Sequence, residues 1–333
     1  MSESDTTRKT FVLGAGFSRT AGFPLVRDLR PAVVRFIEEH PQPDWLADLK
    51  PGAKGFRLGQ FYEGLAAVDS SGTLGFEELL IALQGFRDDP IHPANRTRTI
   101  LESGCARLFW EIQTSLVLPR CYHNFAAWLF PRAGLPKHNV VSFNWDLVLE
   151  RGLQDQGSNW FYSRITDNSV GVLKPHGSIN WSNHRGHGLT ADSDAWSKAV
   201  LDGTLDCLRE DRFQDPFDSG INEQFRYLIL PGNVDDGSLK AAQPIWELVQ
   251  TAITRSDTVV FIGYSLPFYD TLTRDLLQEY CRGKDIEVYN PSPADLEHFK
   301  NALGSDSVLK CETFEGCIYG ATAPNDVNSR HRA

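Results

Sequence analysis

A recurring unit constrains this chain more than any other feature: a short apolar run, a stop at glycine or a polar group, then a helical period. Thr10-Phe-Val-Leu-Gly14 is its first instance and Asp257-Thr-Val-Val-Phe-Ile-Gly263 its clearest. His138–Asp146, Val172–Gly177, Arg226–Pro231 and Asp285–Asn290 repeat it. Apolar runs without alternation belong to strands covered on both faces. Helical periods follow at Leu25–Glu39, Leu147–Gln154, Ala242–Ser256, Thr271–Cys281 and Ala294–Leu303. The alternation predicts an α/β fold, a Rossmann-like parallel sheet with helices on both faces.

Between the first two strands the pattern changes. Residues 40 to 60 carry six prolines and glycines and read as loop. Phe76–Gly85, Thr99–Val117 and Cys121–Phe130 read as helices, with a polar break over Arg87–Arg98. The stretch 40–135 is thus expected to be a helical insertion module within one domain spanning 1–330. Residues 182–222 are a polar excursion with one expected helix near 195–209. The tail 321–333 is expected to be flexible.

Charge narrows the function. Lys and Arg number 33 against 43 Asp and Glu, a formal net charge of −10. Phosphate contacts along a nucleic acid need clustered Lys and Arg, so direct nucleic-acid binding is not expected. A small anion can still be held by backbone N–H groups. No apolar run reaches the roughly 18–20 residues that span a membrane, and no secretory apolar region follows the N-terminus. The six cysteines are scattered, with no CxxC pair. That argues against a zinc ribbon and a disulfide framework alike, and fits a cytoplasmic protein with reduced thiols.

Ligands of open parallel sheets bind outside the carboxyl ends of the strands. Five such ends are unusual here. Gly14-Ala15-Gly16-Phe17-Ser18, running on to Gly22-Phe23-Pro24, allows close backbone approach to a phosphate, or serves as a plain strand-to-helix turn. Phe143-Asn144-Trp145-Asp146 offers an amide suited to a ribose hydroxyl. Asp146 either accepts from such a hydroxyl or caps the next helix. Lys174-Pro-His176-Gly177 places a histidine, the usual general base, at a strand tip; a structural histidine is the alternative. Gly263-Tyr264-Ser265-Leu-Pro-Phe-Tyr-Asp270 is a second phosphate cradle or a turn. Asn290-Pro-Ser292 is a sugar contact or turn chemistry.

The order and spacing of GAGFS…GFP, FNWD, PHGS, GYSLP and Asn290 resemble the sirtuin superfamily, over about residues 11–292. The forms GAGFS, NWD, HGSINW and GYSLP are closer to its bacterial sirtuin-like NADase branch, of the anti-phage defence type. Deacetylating sirtuins carry two CxxC zinc pairs after the HG motif, whereas residues 177–262 here hold only Cys207. The resemblance therefore implies NAD as substrate and no zinc. It implies pyrophosphate on Gly14, Ala15, Gly16 and Ser18, helped by Gly263 and Ser265, and nicotinamide near Phe23, Asn144 and Asp146. It implies Asn144 and His176 as catalytic residues and Asn290 against the adenosine ribose.

The activity implied is NAD+ glycohydrolysis, giving ADP-ribose and nicotinamide, in a defence effector that depletes NAD+ when triggered. The alternatives are an NAD-dependent protein deacylase, an ADP-ribosyltransferase, or a non-catalytic NAD or ADP-ribose sensor. Such effectors need a gate, so a homo-oligomer, or a partner defence protein such as an ATPase, nuclease or Argonaute-like protein, is expected.

Overall fold

Strand β1 (Lys9–Leu13) is wholly buried and lies at the centre of the sheet. A computed structural model describes residues 7–40, 58–86, 92–129, 138–158, 160–162, 169–182, 226–228, 237–303, 308–310 and 312–316. The bulk of the expected 40–60 loop, nearly all of the polar excursion with its helix near 195–209, and the tail lie outside the described residues.

On one side β1 pairs with β2 (Asn139–Ser142), which pairs with β4 (Val170–Leu173), and β4 carries β3 (Trp160–Phe161). On the other side β1 pairs with β7 (Thr258–Ile262), then β8 (Asp285–Tyr289), then β9 (Val308–Lys310). The order is β3-β4-β2-β1-β7-β8-β9, and every pairing is parallel. The α/β expectation is met, and the strands are apolar because both faces are covered.

The chain leaves β1 for β2 on one side and later builds β7 to β9 on the other. The reversal of order opens a crevice at the carboxyl ends of β1 and β7, where doubly wound sheets bind ligands. A separate antiparallel pair, β5 (Gly177–Ser182) with β6 (Arg226–Leu228), follows the histidine tip. The sequence pattern puts 226–231 in the main series of strands; the structure places β6 outside the parallel sheet.

The helices are α1 (Ala15–Ser18), α2 (Val26–Glu39), α3 (Leu58–Val68), α4 (Phe76–Gln84), α5 (Pro93–Ser115), α6 (Arg120–Leu129), α7 (Val148–Asp155), α8 (Gly237–Thr254), α9 (Thr271–Tyr280) and α10 (Pro293–Leu303). The expected break at 87–98 is shorter than the sequence suggests. Helix α5 begins at Pro93, whose missing N–H costs nothing in a first turn, and His92 accepts from Ala94 N at 3.2 Å. Helix α6 covers β1: Phe125 and Trp128 meet Phe11 edge-on at 5.4 and 5.1 Å between centroids.

Candidate functional site

The turns after β1 and β7 interlock. Gly16 N donates to Gly263 O at 2.8 Å, and Gly14 N to Ile262 O at 3.1 Å. A Cβ on Gly263 would fall 2.4 Å from Gly16 C, and one on Gly14 would fall 2.5 Å from Tyr264 Cα. Gly263 also sits at φ +60°, in the left-handed region. The glycines are there to let two backbones touch. The amides of Gly14, Gly16 and Phe17 donate within the protein, Phe17 N to Gly14 O.

Around this lock lies a cleft of about 1170 Å³. Gly14, Ala15, Gly16, Phe23, Pro24, Asn144, Asp146, His176, Gly263, Tyr264, Ser265 and Asn290 all line it. The three other residues singled out in sequence lie off its wall. Phe17 turns its ring into the core, 4.5 Å from the Phe314 ring and 5.2 Å from Tyr122. Gly22 ends a short 3-10 turn at φ +91°. Ser18 is buried as a relay. It accepts from Asn144 Nδ2 at 3.1 Å and donates to Asp146.

Asn144 is fixed by that relay and by a 2.8 Å bond from Nδ2 to Gly14 O. A carbonyl can only accept, so the amide nitrogen must face Gly14 and Oδ1 is the free end. Asp146 Oδ1 accepts from Val148 N at 3.0 Å, bracing the start of α7 from one residue before its N-cap, Leu147, rather than as the cap itself. Burial pushes its pKa up, and Lys174 opposes that.

Beneath these tips is a buried ion pair. Lys174 Nζ donates to Glu150 Oε1 at 2.9 Å and to Asp146 O at 2.6 Å, with both side chains sealed from solvent. Tyr162 Oη adds a 3.2 Å bond to Glu150. Trp145 Nε1 donates to His176 O at 2.8 Å, and Ile179 N to Trp145 O at 3.0 Å. The Asn144 and His176 tips are therefore laced into one rigid wall. A bare backbone tip has no such stiffness.

His176 packs its ring against Phe143 at 4.8 Å and Trp246 at 6.0 Å. Burial lowers its pKa below the usual histidine value, against the pull of Asp270. Burial thus favours the neutral form of the ring. Its Nε2 lies 3.4 Å from Asp270 Oδ2.

Asn290 uses its side chain inward. Nδ2 donates to Tyr264 O and Asp295 Oδ2, both at 3.2 Å, and Oδ1 accepts from Ser292 N at 2.9 Å. Of its two sequence readings, the turn is the one these bonds build. Leu266, buried at φ 52°, is the one described non-glycine residue in the left-handed region. His298 Nε2 holds its carbonyl at 3.0 Å.

Two cleft residues received no role in the sequence reading. Asp270 closes the GYSLPFYD segment and caps α9, with Oδ1 accepting from Thr273 N at 3.3 Å. Glu77 sits in the first turn of α4 and accepts from Tyr269 Oη. Burial first, then Asp270 and Glu78, push its pKa up to about 7, against the Tyr269 bond. An acidic pair in a first turn looks like ordinary helix chemistry, which hid Glu77. A helix-capping position at the end of a strand-tip segment was the available signal for Asp270. Among the described residues no group of three His, Cys, Asp or Glu is placed to hold a metal, and no helix is long and apolar enough to cross a membrane.

By sequence the chain matches no family model and no curated protein. Among solved structures it is similar to a Sir2 homologue in complex with NAD, at 14% identity and TM-score 0.46, covering 95% of this chain and 88% of that one. It is also similar to a mutant Sir2 homologue in complex with ADP-ribose, at 13% identity and TM-score 0.44, covering 96% and 95%. A third is Sir2Tm bound to a propionylated peptide, at 14% identity and TM-score 0.42, covering 95% and 92%.

Proposed function

We propose that this chain is an NAD+ glycohydrolase. The observation that carries the reading is a buried histidine on a rigid cleft wall beside the interlocked glycine turns. The five motif segments that resemble sirtuins support it, and so does the crevice, which is roomy enough for a dinucleotide.

NAD+ lies across the tips of β1 and β7. Its nicotinamide enters the pocket near Phe23, Asn144 and Asp146, and its adenosine end runs towards the β8 tip. The C1′–N bond breaks and its electron pair leaves with neutral nicotinamide. Water attacks the cationic ribose carbon, and His176 takes the proton that the water sheds. Asn144 Oδ1, fixed by two bonds from its own amide nitrogen, orients that water or a ribose hydroxyl. The proton passes from His176 to solvent, leaving ADP-ribose, nicotinamide and H+. In the cell this chemistry fits a gated effector of anti-phage defence, held silent by an oligomer or a partner protein.

The acceptor separates this reading from deacylation or ADP-ribosyl transfer. The test is product analysis of NAD+ incubated with the wild type, His176→Ala and Asn144→Ala. Free ADP-ribose and nicotinamide from the wild type, with a loss of about 100-fold or more in each variant, are expected. Deacylation of an acylated peptide, or undiminished turnover in both variants, refutes the assignment.

A further inference from the structure

His176 lies beside a second side chain to which the sequence reading gave no role. Asp270 comes from the turn between β7 and α9, far from the histidine in sequence. Its Oδ2 lies 3.4 Å from His176 Nε2, with the two side chains 2% and 6% exposed. Oδ2 is fully buried and has no hydrogen-bond partner among the described residues: His176 Nε2 is within ion-pair distance but its N–H is not aligned on it. Oδ1 is occupied by Thr273 N, so the carboxylate cannot rotate away without uncapping α9. A buried, partnerless carboxylate oxygen is costly, and it persists where another group draws on it.

We infer that Asp270 is the positioning residue of a His–Asp dyad, its Oδ2 closing on Nε2–H of His176 by a small turn of the ring, so that the Nε2–H tautomer is selected and Nδ1 is the proton acceptor. The inference rests on the proposed hydrolysis for its catalytic consequence, and on geometry alone for the tautomer. Asp270 is the charged group set against the imidazole. The imidazole also packs against the rings of Phe143 and Trp246; the Trp246 indole N–H has no partner among the described residues and, as a donor only, cannot take the Nε2 proton. His176 Nδ1 has no partner among the described residues. As Nδ1 takes the proton of the attacking water, the imidazolium faces a carboxylate already in place. The rearrangement of the dyad is then minimal, which is how preorganised charge lowers a barrier.

The obvious alternative is that Asp270 is only a helix cap. Two variants separate the readings, because Asn and Ser cap a helix about as well as Asp. Asp270→Asn keeps shape and cap but loses the charge; Asp270→Ser keeps the cap but loses the reach. In both, kcat for NAD+ is expected to fall about 100-fold or more with KM changed less than about threefold. A lost cap alone leaves kcat close to the parent's.

The second readout does not depend on turnover. In full-length protein labelled with 15N-histidine, the His176 ring, assigned by its absence in His176→Gln, is expected to show Nε2 protonated. That preference is expected to be lost in Asp270→Asn, with titration moved to lower pH because a neighbouring negative charge is gone. An unchanged tautomer in Asp270→Asn overturns the dyad. So does parental kcat in both variants of an active enzyme. A wild type that leaves NAD+ intact overturns the proposed hydrolysis alone, and the tautomer then decides the dyad.

Discussion

Glu77 offers a test in which removing a charge strengthens the protein. The carboxyl is half-buried in the first turn of α4, and its pKa rises from 4.5 to about 7. Burial is the main cause, with Asp270 and Glu78 adding repulsion and the Tyr269 hydroxyl opposing. In the unfolded chain the group ionises near 4.5. Between pH 4.5 and 7 the folded protein therefore binds more protons than the unfolded one, and stability falls as pH rises. Below 4.5 both states are neutral and nothing is lost. Above 7 both are charged and the full penalty stands. At 1.36 kcal/mol per pH unit the displacement corresponds to about 3.4 kcal/mol. Residual solvent at a half-buried site reduces this, and about 2 kcal/mol is a fair expectation.

Glu77→Gln removes the charge and can still accept from Tyr269. The variant is expected to match the parent at pH 4 and to exceed it by about 2 kcal/mol at pH 8. At a urea slope near 3 kcal/mol/M, that moves the midpoint up by roughly 0.7 M. Urea unfolding followed by circular dichroism at pH 4, 6 and 8 gives the three differences. A constant difference across pH refutes the reasoning, and so does a variant weaker than the parent at pH 8.

Gly263→Ala places a Cβ 2.4 Å from the backbone of the β1 turn at a left-handed φ. A loss of about 3 kcal/mol or more is expected, with NAD+ no longer raising the melting temperature; a ligand shift equal to the parent's refutes the interlock. Lys174→Met strands Glu150 without its ammonium partner and is expected to cost about 3–5 kcal/mol in urea. Adding Glu150→Leu is expected to recover much of that loss, and a single variant as stable as the parent refutes the role of the pair.

The central sheet was legible because buried parallel strands leave no room for polar alternation. Phe11, Val12 and Leu13 and the run Val259–Ile262 are all fully buried. What escaped the sequence was decided by tertiary contact. Helix α3 includes Gly59 and Gly64, which on sequence alone suggest loop at its start. Yet a Cβ on Gly64 would meet Thr97 Oγ1 at 2.0 Å, and that hydroxyl bonds Phe61 O at 3.1 Å. The glycine is the price of packing α3 against α5. Strand β5 was hidden because Gly177-Ser-Ile-Asn reads as the end of a polar tip, and only β6 makes it a strand.

The same distinction runs through the site. Asn144 and His176 stood out because each is a polar residue at the end of an apolar run, a local signal. Which partner each of them meets has no local signal. Ser18, Lys174, Glu150 and Asp270 are reached through bonds that cross from one strand tip to another. The glycines show why this matters for reading such a motif. GAG suggests amides turned towards a phosphate, but those of Gly14 and Gly16, and of Phe17 after them, are consumed in holding the turns together. Their value to a bound nucleotide is then indirect: they fix the position of Gly14 O, which fixes Asn144, whose Oδ1 is left free. The chemistry of the cleft is set by which ends of its polar side chains remain unspent. That is a property of the packed sheet, and it follows from the order of strands around β1 and β7.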